Sequence, residues 1–263
     1  MVIENLDISL LFLFIFLGFI GSFLDGSLGM GYGLLSPILI AIGIDPLIVV
    51  PTLLISQMTT GFTVSFFHYF YKNVNFGFNT NQDSKATLLF VVTGLIGMTM
   101  AFLLAINLTD EFVMLYISII VISAGLLMLP KIQFTFSWKK MYLLSAIASF
   151  NKAISGGGYG PVMTIGQITS GRDAKESVAV TDLSEALLSA YGFILYSIFN
   201  SFSGNLILTL ELGLVMILSG MFATPIGAFL TKKLKKKSAK KIIGCLSLII
   251  GIITLIRVIL AFL

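Results

Sequence analysis

The chain has 263 residues, of which 57 % are hydrophobic and only 11 % are charged, and its mean hydropathy is +1.04. Soluble domains carry about 25 % charged residues, so this composition excludes a water-exposed globular surface. A helix that spans the hydrocarbon of a bilayer needs roughly 20 apolar residues. The sequence therefore predicts an all-α polytopic membrane protein with no separate soluble domain.

Apolar stretches separated by polar clusters predict ten helical segments along the chain. They cover residues 8–24, 32–44, 47–69, 86–106, 112–129, 138–153, 159–170, 177–199, 206–230 and 239–263. The second and seventh segments are too short to cross a bilayer alone. We interpret segments one plus two, and six plus seven, as helices that glycine-rich breaks interrupt near mid-membrane. Such backbone is tolerated at that depth only inside protein or beside water, so the breaks indicate a cavity.

The two halves of the chain resemble each other. An offset of 127 residues superposes 31–33, Gly-Tyr-Gly, on 158–160, and it also superposes Ser22 on Ser149 and Phe23 on Phe150. We therefore divide the chain into a first transmembrane repeat, residues 1–130, and a second, residues 131–263. Five segments per half is an odd number, so the second repeat is predicted to be inverted relative to the first, as in many secondary transporters.

The basic residues predict the orientation of the chain. With the amino terminus outside, 14 of the 16 Lys and Arg residues fall in cytoplasmic loops, Arg257 stays outside, and Lys152 lies within the membrane. The positive-inside rule then places both termini outside a cell membrane. The lysine-rich run 232–241 is interpreted as a topology anchor against anionic headgroups. Membrane lipids, and no nucleic acid, are the expected partners.

Four ionisable residues fall at predicted membrane depth near the breaks: Asp25, Lys152, Asp182 and Glu185. Each costs roughly 2.5 to 3.5 kcal/mol at a helix centre, so we expect them to face one another or water. Asp25 and Lys152 are equivalent under the offset, which predicts either a structural salt bridge or a functional pair that opens for substrate or proton. Asp182 and Glu185 share one helix face and suit proton coupling, although Asp182 is also compatible with a solvated boundary position.

His68 is a second type of candidate for proton transfer, because the unperturbed pKa of histidine is near neutrality. Tyr69, Tyr71 and Lys72 follow it at the expected cytoplasmic boundary. We therefore interpret His68 as an interfacial residue.

The two breaks, residues 26–33 and 155–161, predict an anion site. Glycine admits close backbone approach, and a helix that begins at a break presents free N–H groups and a positive dipole end. The expected substrate-binding residues are Lys152 together with Gly29, Gly31, Tyr32, Gly33, Gly156, Gly157, Gly158 and Tyr159. Asp25, Glu185 and Asp182 are the expected proton-coupling residues.

These motifs also carry a resemblance to a known family. The matching residues are Asp25 with Gly29-Met30-Gly31-Tyr32-Gly33, then Pro37, Gly43, Pro46, Val50-Pro51 and Gln57 with Gly61, and in the second half Asn151-Lys152-Ala153, the glycine-rich run 155–161 and the stretch 181–185. Over nearly its whole length the sequence resembles the TauE/SafE family of sulfite and organosulfonate exporters. The resemblance implies two inverted five-segment repeats, a central anion site and export coupled to a proton gradient, and it is compatible with a homodimer.

The sequence thus predicts a secondary active transporter that moves a small anion by alternating access, with a proton as coupling ion. No cofactor and no metal are expected. A carrier for a cation, or for a zwitterion such as taurine, remains an alternative because the acids outnumber Lys152, and a non-transporting membrane scaffold remains another. An intramembrane enzyme is disfavoured because the sequence has no His-Glu-x-x-His motif and no nucleophile with an evident base.

Overall fold

The computed structural model describes residues 8–77, 81–105, 137–199, 205–233 and 236–262, together with residue 202 and isolated positions between 108 and 126. In these ranges the chain forms helices. They are α1 (Ile8–Leu28), α2 (Gly31–Ala41), α3 (Pro46–Phe70), α4 (Gln82–Ala105), α5 (Trp138–Ser155), α6 (Tyr159–Thr169), α7 (Ala174–Ile198), α8 (Leu206–Thr231) and α9 (Lys236–Phe262).

These helices match nine of the ten predicted segments to within a few residues at each end. The remaining predicted segment, 112–129, lies largely outside the described residues. Helices α1, α3, α7 and α8, and α4 over residues 82–104, are each long and apolar enough to cross a membrane. The predicted polytopic all-α architecture is confirmed at this level.

The helices are interrupted at both glycine-rich breaks, as predicted, and the chain reverses its direction at each break. Helix α2 packs back along α1: a β-carbon at Gly31 would overlap the Gly21 carbonyl oxygen, and one at Gly21 would overlap the Leu35 side chain. Helix α6 packs back along α5 in the same way, because a β-carbon at Gly166 would overlap Leu144. Each break is therefore the turn of a helical hairpin.

Backbone features recur at equivalent places in the two halves. Helices α1 and α5 both end in a left-handed glycine, Gly29 with φ +67° and Gly156 with φ +75°. Left-handed glycines also follow the short helices, Gly43 with φ +95° and Gly171 with φ +104°. Only glycine adopts such angles without strain, so it terminates these helices cleanly. The halves thus share local architecture, while the inverted relation between them stays a prediction.

A capped turn starts each of the two long helices that carry the site. The Asp45 side chain accepts the Leu47 N–H at 2.7 Å, directly before α3, whose first residue is Pro46. The Asp173 side chain accepts the Lys175 N–H at 3.0 Å, directly before α7. Side-chain capping satisfies N–H groups that the helix itself leaves free, which fixes where each helix begins.

The packing places polar residues inside and apolar residues outside. Helix α1 packs chiefly on α8, α4 on α5, and α3 lies between α7 and α8. Large apolar side chains on the outer faces are exposed, for example Phe12 at 67 % and Phe222 at 74 %. Serine, threonine, glutamine and charged side chains fill much of the interior. A surface of this kind is suited to lipid rather than water, and the polar interior around α3 and α7 contains the candidate site.

Candidate functional site

Ionisable side chains meet in the interior between the two hairpins and the helix pair α3–α7. Lys152, Asp182, Glu185 and His68 have no solvent-exposed surface, and Asp25 is 2 % exposed. We call these five residues the buried charge cluster. Asp182 interacts electrostatically with both Asp25 and Glu185. The predicted solvated position of Asp182 is therefore wrong, and the four predicted intramembrane charges do face one another.

Lys152 forms an ion pair with Glu185, at 2.8 Å between Nζ and Oε1. The lysine lies in the last turn of α5, where the helix dipole favours a cation, and its ammonium also donates to the Gly156 carbonyl oxygen at 3.3 Å. The predicted salt bridge between Asp25 and Lys152 is wrong: the two residues interact electrostatically, but the ion pair of Lys152 is with Glu185. The second carboxylate oxygen of Glu185 has no partner among the described residues.

Asp25 occupies the equivalent position in the first hairpin and makes the equivalent contact. Its carboxylate accepts the Gln57 side-chain amide at 2.6 Å, and Gln57 lies on α3 as Glu185 lies on α7. It also accepts the Gly31 N–H at 3.0 Å, at the start of α2. A carboxylate at a helix N-terminus is favoured by the dipole, and the Asp25 side chain occupies the point where a substrate anion was predicted.

The two glycine-rich breaks touch each other. A β-carbon at Gly33 would overlap the Gly157 carbonyl oxygen, and one at Gly157 would overlap the Tyr32 carbonyl. The Thr164 hydroxyl donates to the Gly29 carbonyl oxygen at 3.0 Å, which ties α6 to the first break. Only residues without a side chain permit this approach. The structure therefore represents a closed arrangement of the breaks.

In this arrangement three N–H groups of the breaks have side-chain acceptors and are not free. Free N–H groups at the other positions of the breaks stay a prediction. Besides the Gly31 N–H, which Asp25 accepts, those of Gly157 and Gly158 donate to the Ser155 hydroxyl at 3.3 Å and 2.8 Å. A substrate anion would have to replace these acceptors. Ser155 and Gln57 were not singled out from the sequence as site residues, because a serine beside a glycine run and a glutamine in an apolar helix are common packing residues.

The two tyrosines of the breaks anchor their short helices to the neighbouring helices. The Tyr32 hydroxyl bonds to Ser56 at 2.8 Å, to Thr60 at 2.9 Å and to Ser22 at 3.1 Å. The Tyr159 hydroxyl bonds to Ser184 at 2.9 Å. Both side chains are fully buried, so in the closed arrangement they hold the hairpins in place.

His68 belongs to the buried charge cluster, a contact that its interpretation as an interfacial residue did not include. Its Nε2 lies 2.9 Å from Asp182 Oδ2, and its Nδ1 lies 2.9 Å from the Asn73 side-chain nitrogen. The aromatic and basic residues that follow it suggested an interface, but the end of α3 packs against α7 and covers the imidazole. Only the tertiary contact with α7 shows that His68 is buried, because the local sequence indicates no more than the end of a helix.

No group of three or more His, Cys, Asp and Glu side chains in the described part of the chain is arranged to hold a metal ion. The cluster instead offers one ammonium, three carboxylates and an imidazole, with unpaired oxygens on Asp182 and Glu185. The ammonium of Lys152 can hold a small anion, and the carboxylates and the imidazole can exchange protons.

Comparison with known proteins indicates the family of the chain. The family model described as "Sulfite exporter TauE/SafE" matches residues 14–254. A Bacillus subtilis (strain 168) protein described as "Probable membrane transporter protein YtnM" is 28 % identical in an alignment that covers 94 % of this chain and 83 % of that protein. No solved structure gives a significant match. The match covers both hairpins and the buried charge cluster between them, and on that basis the chain is a multi-pass membrane protein that belongs to the TauE/SafE family.

Proposed function

We propose that this chain is a secondary active transporter that moves a small anion, such as sulfite or an organosulfonate, by alternating access and couples this movement to protons. The observation that carries the proposal is the fully buried pair of Lys152 and Glu185 beside the contact between the two breaks. Lys152 would bind the substrate anion, and Glu185 would take up the coupling proton. Membership of a transporter family supports the membrane-transport part of the proposal.

Burial of the pair supplies a reason for coupling. An anion that takes Lys152 must displace the Glu185 carboxylate, and a buried charge that loses its partner costs about 3–5 kcal/mol. A proton on Glu185 neutralises the carboxylate and removes this cost. Anion and proton therefore bind together, and we expect them to cross the membrane in the same direction. An inward proton gradient would then drive uptake, in contrast to the export that the family resemblance implies.

Asp25 would govern access to the N–H groups of the first break. Its carboxylate accepts the Gly31 N–H in the closed arrangement, where it occupies the place of an anion. A proton on Asp25 weakens it as an acceptor and leaves the start of α2 free for the substrate. Separation of the breaks at Gly33 and Gly157 would then open the site, since these residues are in direct contact.

Flux of labelled sulfite into proteoliposomes tests the proposal. An inward proton gradient is expected to drive uptake, and Lys152→Met should abolish both uptake and sulfite binding. Lys85→Met is a matched control, because it makes the same change at an exposed lysine of α4. Binding of sulfite to Lys152→Met with unchanged affinity would refute the role of Lys152.

A zwitterion such as taurine is a second candidate substrate, and one contact favours it. Glu185 Oε2 has no partner among the described residues, while Oε1 holds Lys152. A solute with both charges could place its sulfonate on Lys152 and its ammonium on the free carboxylate oxygen. Parallel flux assays with sulfite and taurine separate the two substrates.

Asp25→Asn separates an anion carrier from a cation carrier. Asparagine can still accept the Gly31 N–H, and Gln57 can turn its unpaired carbonyl oxygen towards the new amide, so the hairpin should keep its structure. An anion site loses a competing negative charge and should bind sulfite as well or more tightly. A cation site should lose its ion.

A further inference from the structure

His68 and Asp182 lie between the Lys152–Glu185 pair and the end of the molecule where α3 ends and α7 begins. Both side chains are fully buried, and the imidazole joins the two helices through its 2.9 Å contact with Asp182. Asn73 covers the other ring nitrogen, and the neighbouring Lys72 is exposed. The pair therefore lies just inside the surface of the molecule.

The hydrogen bonds of Asn73 fix the tautomer of the imidazole. Its side-chain nitrogen donates to the Ala228 carbonyl oxygen at 2.7 Å and lies 2.9 Å from His68 Nδ1. An amide nitrogen only donates, so Nδ1 accepts and carries no proton. The proton of the neutral ring is on Nε2, which donates to the Asp182 carboxylate.

We infer that His68 and Asp182 form a proton relay between the aqueous phase at this end of the molecule and the Lys152–Glu185 pair. The charged groups that surround the relay are Asp182 and Glu185 on α7 and Asp25 on α1, while α8 contributes the Ala228 carbonyl next to Asn73. Lys152, the basic member of the buried charge cluster, is paired with Glu185. The other neighbours are acidic or neutral, and they favour the arrival of a proton.

The relay step conserves one proton. A hydronium ion of the aqueous phase transfers its proton to His68 Nδ1 when the Asn73 amide turns away, and water is left behind. The Nε2–H bond breaks, and a new O–H bond forms on Asp182. The imidazole is neutral before and after the step, and Asp182 becomes neutral. Once Asp182 has passed its proton on to Glu185, rotation of the imidazole brings the protonated nitrogen back to the Asp182 side, which resets the relay without a further proton.

The onward path runs along one face of α7. Asp182 and Glu185 lie three residues apart, on adjacent turns. Each has one buried oxygen, Oδ1 and Oε2 respectively, without a partner among the described residues. A proton that leaves Asp182 for Glu185 can depart from Oδ1 and be accepted by Oε2.

Infrared difference spectroscopy between acidic and alkaline pH tests the relay without any substrate. We expect a carboxylic-acid band that is absent from Asp182→Asn and whose titration midpoint moves in His68→Gln. Both variants keep a hydrogen-bonding side chain of similar size. Ser65→Ala is the matched control, because Ser65 is buried on α3 and its hydroxyl donates within its own helix to the Gly61 carbonyl. Absence of such a band from the wild-type protein would overturn the relay.

Sulfite flux provides the second test, and this arm rests on the proposed function. We expect His68→Gln and Asp182→Asn to keep sulfite exchange at equal pH within about twofold of wild type and to lose at least tenfold in uptake driven by a proton gradient. Wild-type rates of driven uptake in both variants would overturn the relay, and so would parallel loss of exchange and driven uptake in both. A wild-type protein that titrates at Asp182 but moves no sulfite would refute the proposed substrate and leave the relay standing.

Discussion

Replacement of Lys152 by methionine removes one member of a fully buried ion pair and leaves the other member in place. Methionine keeps much of the length and volume of the lysine stem, so the change is mainly one of charge. Among the described residues the ion pair of Glu185 is with Lys152, so the variant removes that partner. We expect a clear loss of stability together with loss of sulfite binding.

The size of the effect follows from the geometry of the pair. Two unit charges at the observed 2.8 Å attract each other by about 6 kcal/mol at an effective dielectric constant of about 20. Desolvation of both groups offsets much of this attraction, so loss of one partner typically costs about 3–5 kcal/mol, while replacement of both by neutral groups is often close to neutral. Lys152→Met and Glu185→Gln should therefore each destabilise the protein, and the double variant should recover most of the loss.

Denaturant unfolding in detergent micelles measures the free energies, and calorimetry with sulfite measures binding. The four proteins form a double-mutant cycle, whose coupling energy reports the pair itself. Lys85→Met serves as the control and should change neither quantity. The double variant should fold like wild type yet bind no sulfite, which separates the structural role of the pair from its proposed role in binding.

Two results would refute this reasoning. Additive losses in the double variant would show that the two residues are not energetically coupled. Sulfite binding by the stable double variant with wild-type affinity would show that the anion site lies elsewhere.

Two further predictions concern the contact between the breaks and the tyrosines that hold it. Gly157→Ala should force the breaks apart, because its β-carbon would overlap the Tyr32 carbonyl, and we expect a loss of about 1–3 kcal/mol in unfolding free energy. The control Gly43→Ala has open space around its β-carbon and should show only the strain of its positive φ. Equal sulfite exchange by both variants would contradict a role for the contact between the breaks. Tyr32→Phe should lower the unfolding free energy by about 1–3 kcal/mol, because it deprives three buried hydroxyls of a partner. Tyr159→Phe should lower it less, since Ser184 keeps its bonds to the backbone. Thermal unfolding of both variants checks this order, and the reverse order would contradict it.

The class of protein and most of its helices follow from the sequence alone. A composition of 57 % hydrophobic and 11 % charged residues leaves only a lipid-facing surface, and the length of each apolar run predicts a helix within a few residues. The equivalence of Asp25 and Lys152 was also visible as a repeat of 127 residues. Four ionisable residues in apolar runs had to meet, because hydrocarbon penalises each of them alone.

Only the tertiary structure decided which charged groups meet and how the chain passes the breaks. A run of glycines does not by itself show whether the chain continues or reverses; here it reverses, with the left-handed Gly29 and Gly156 at the turns. That reversal brings Lys152 to Glu185 and Asp25 to Gln57 instead of to each other. Partner choice depends on which helix faces come together over long sequence separations, and no local pattern encodes it. The burial of His68 has the same origin, since the end of α3 becomes interior only when α7 packs against it.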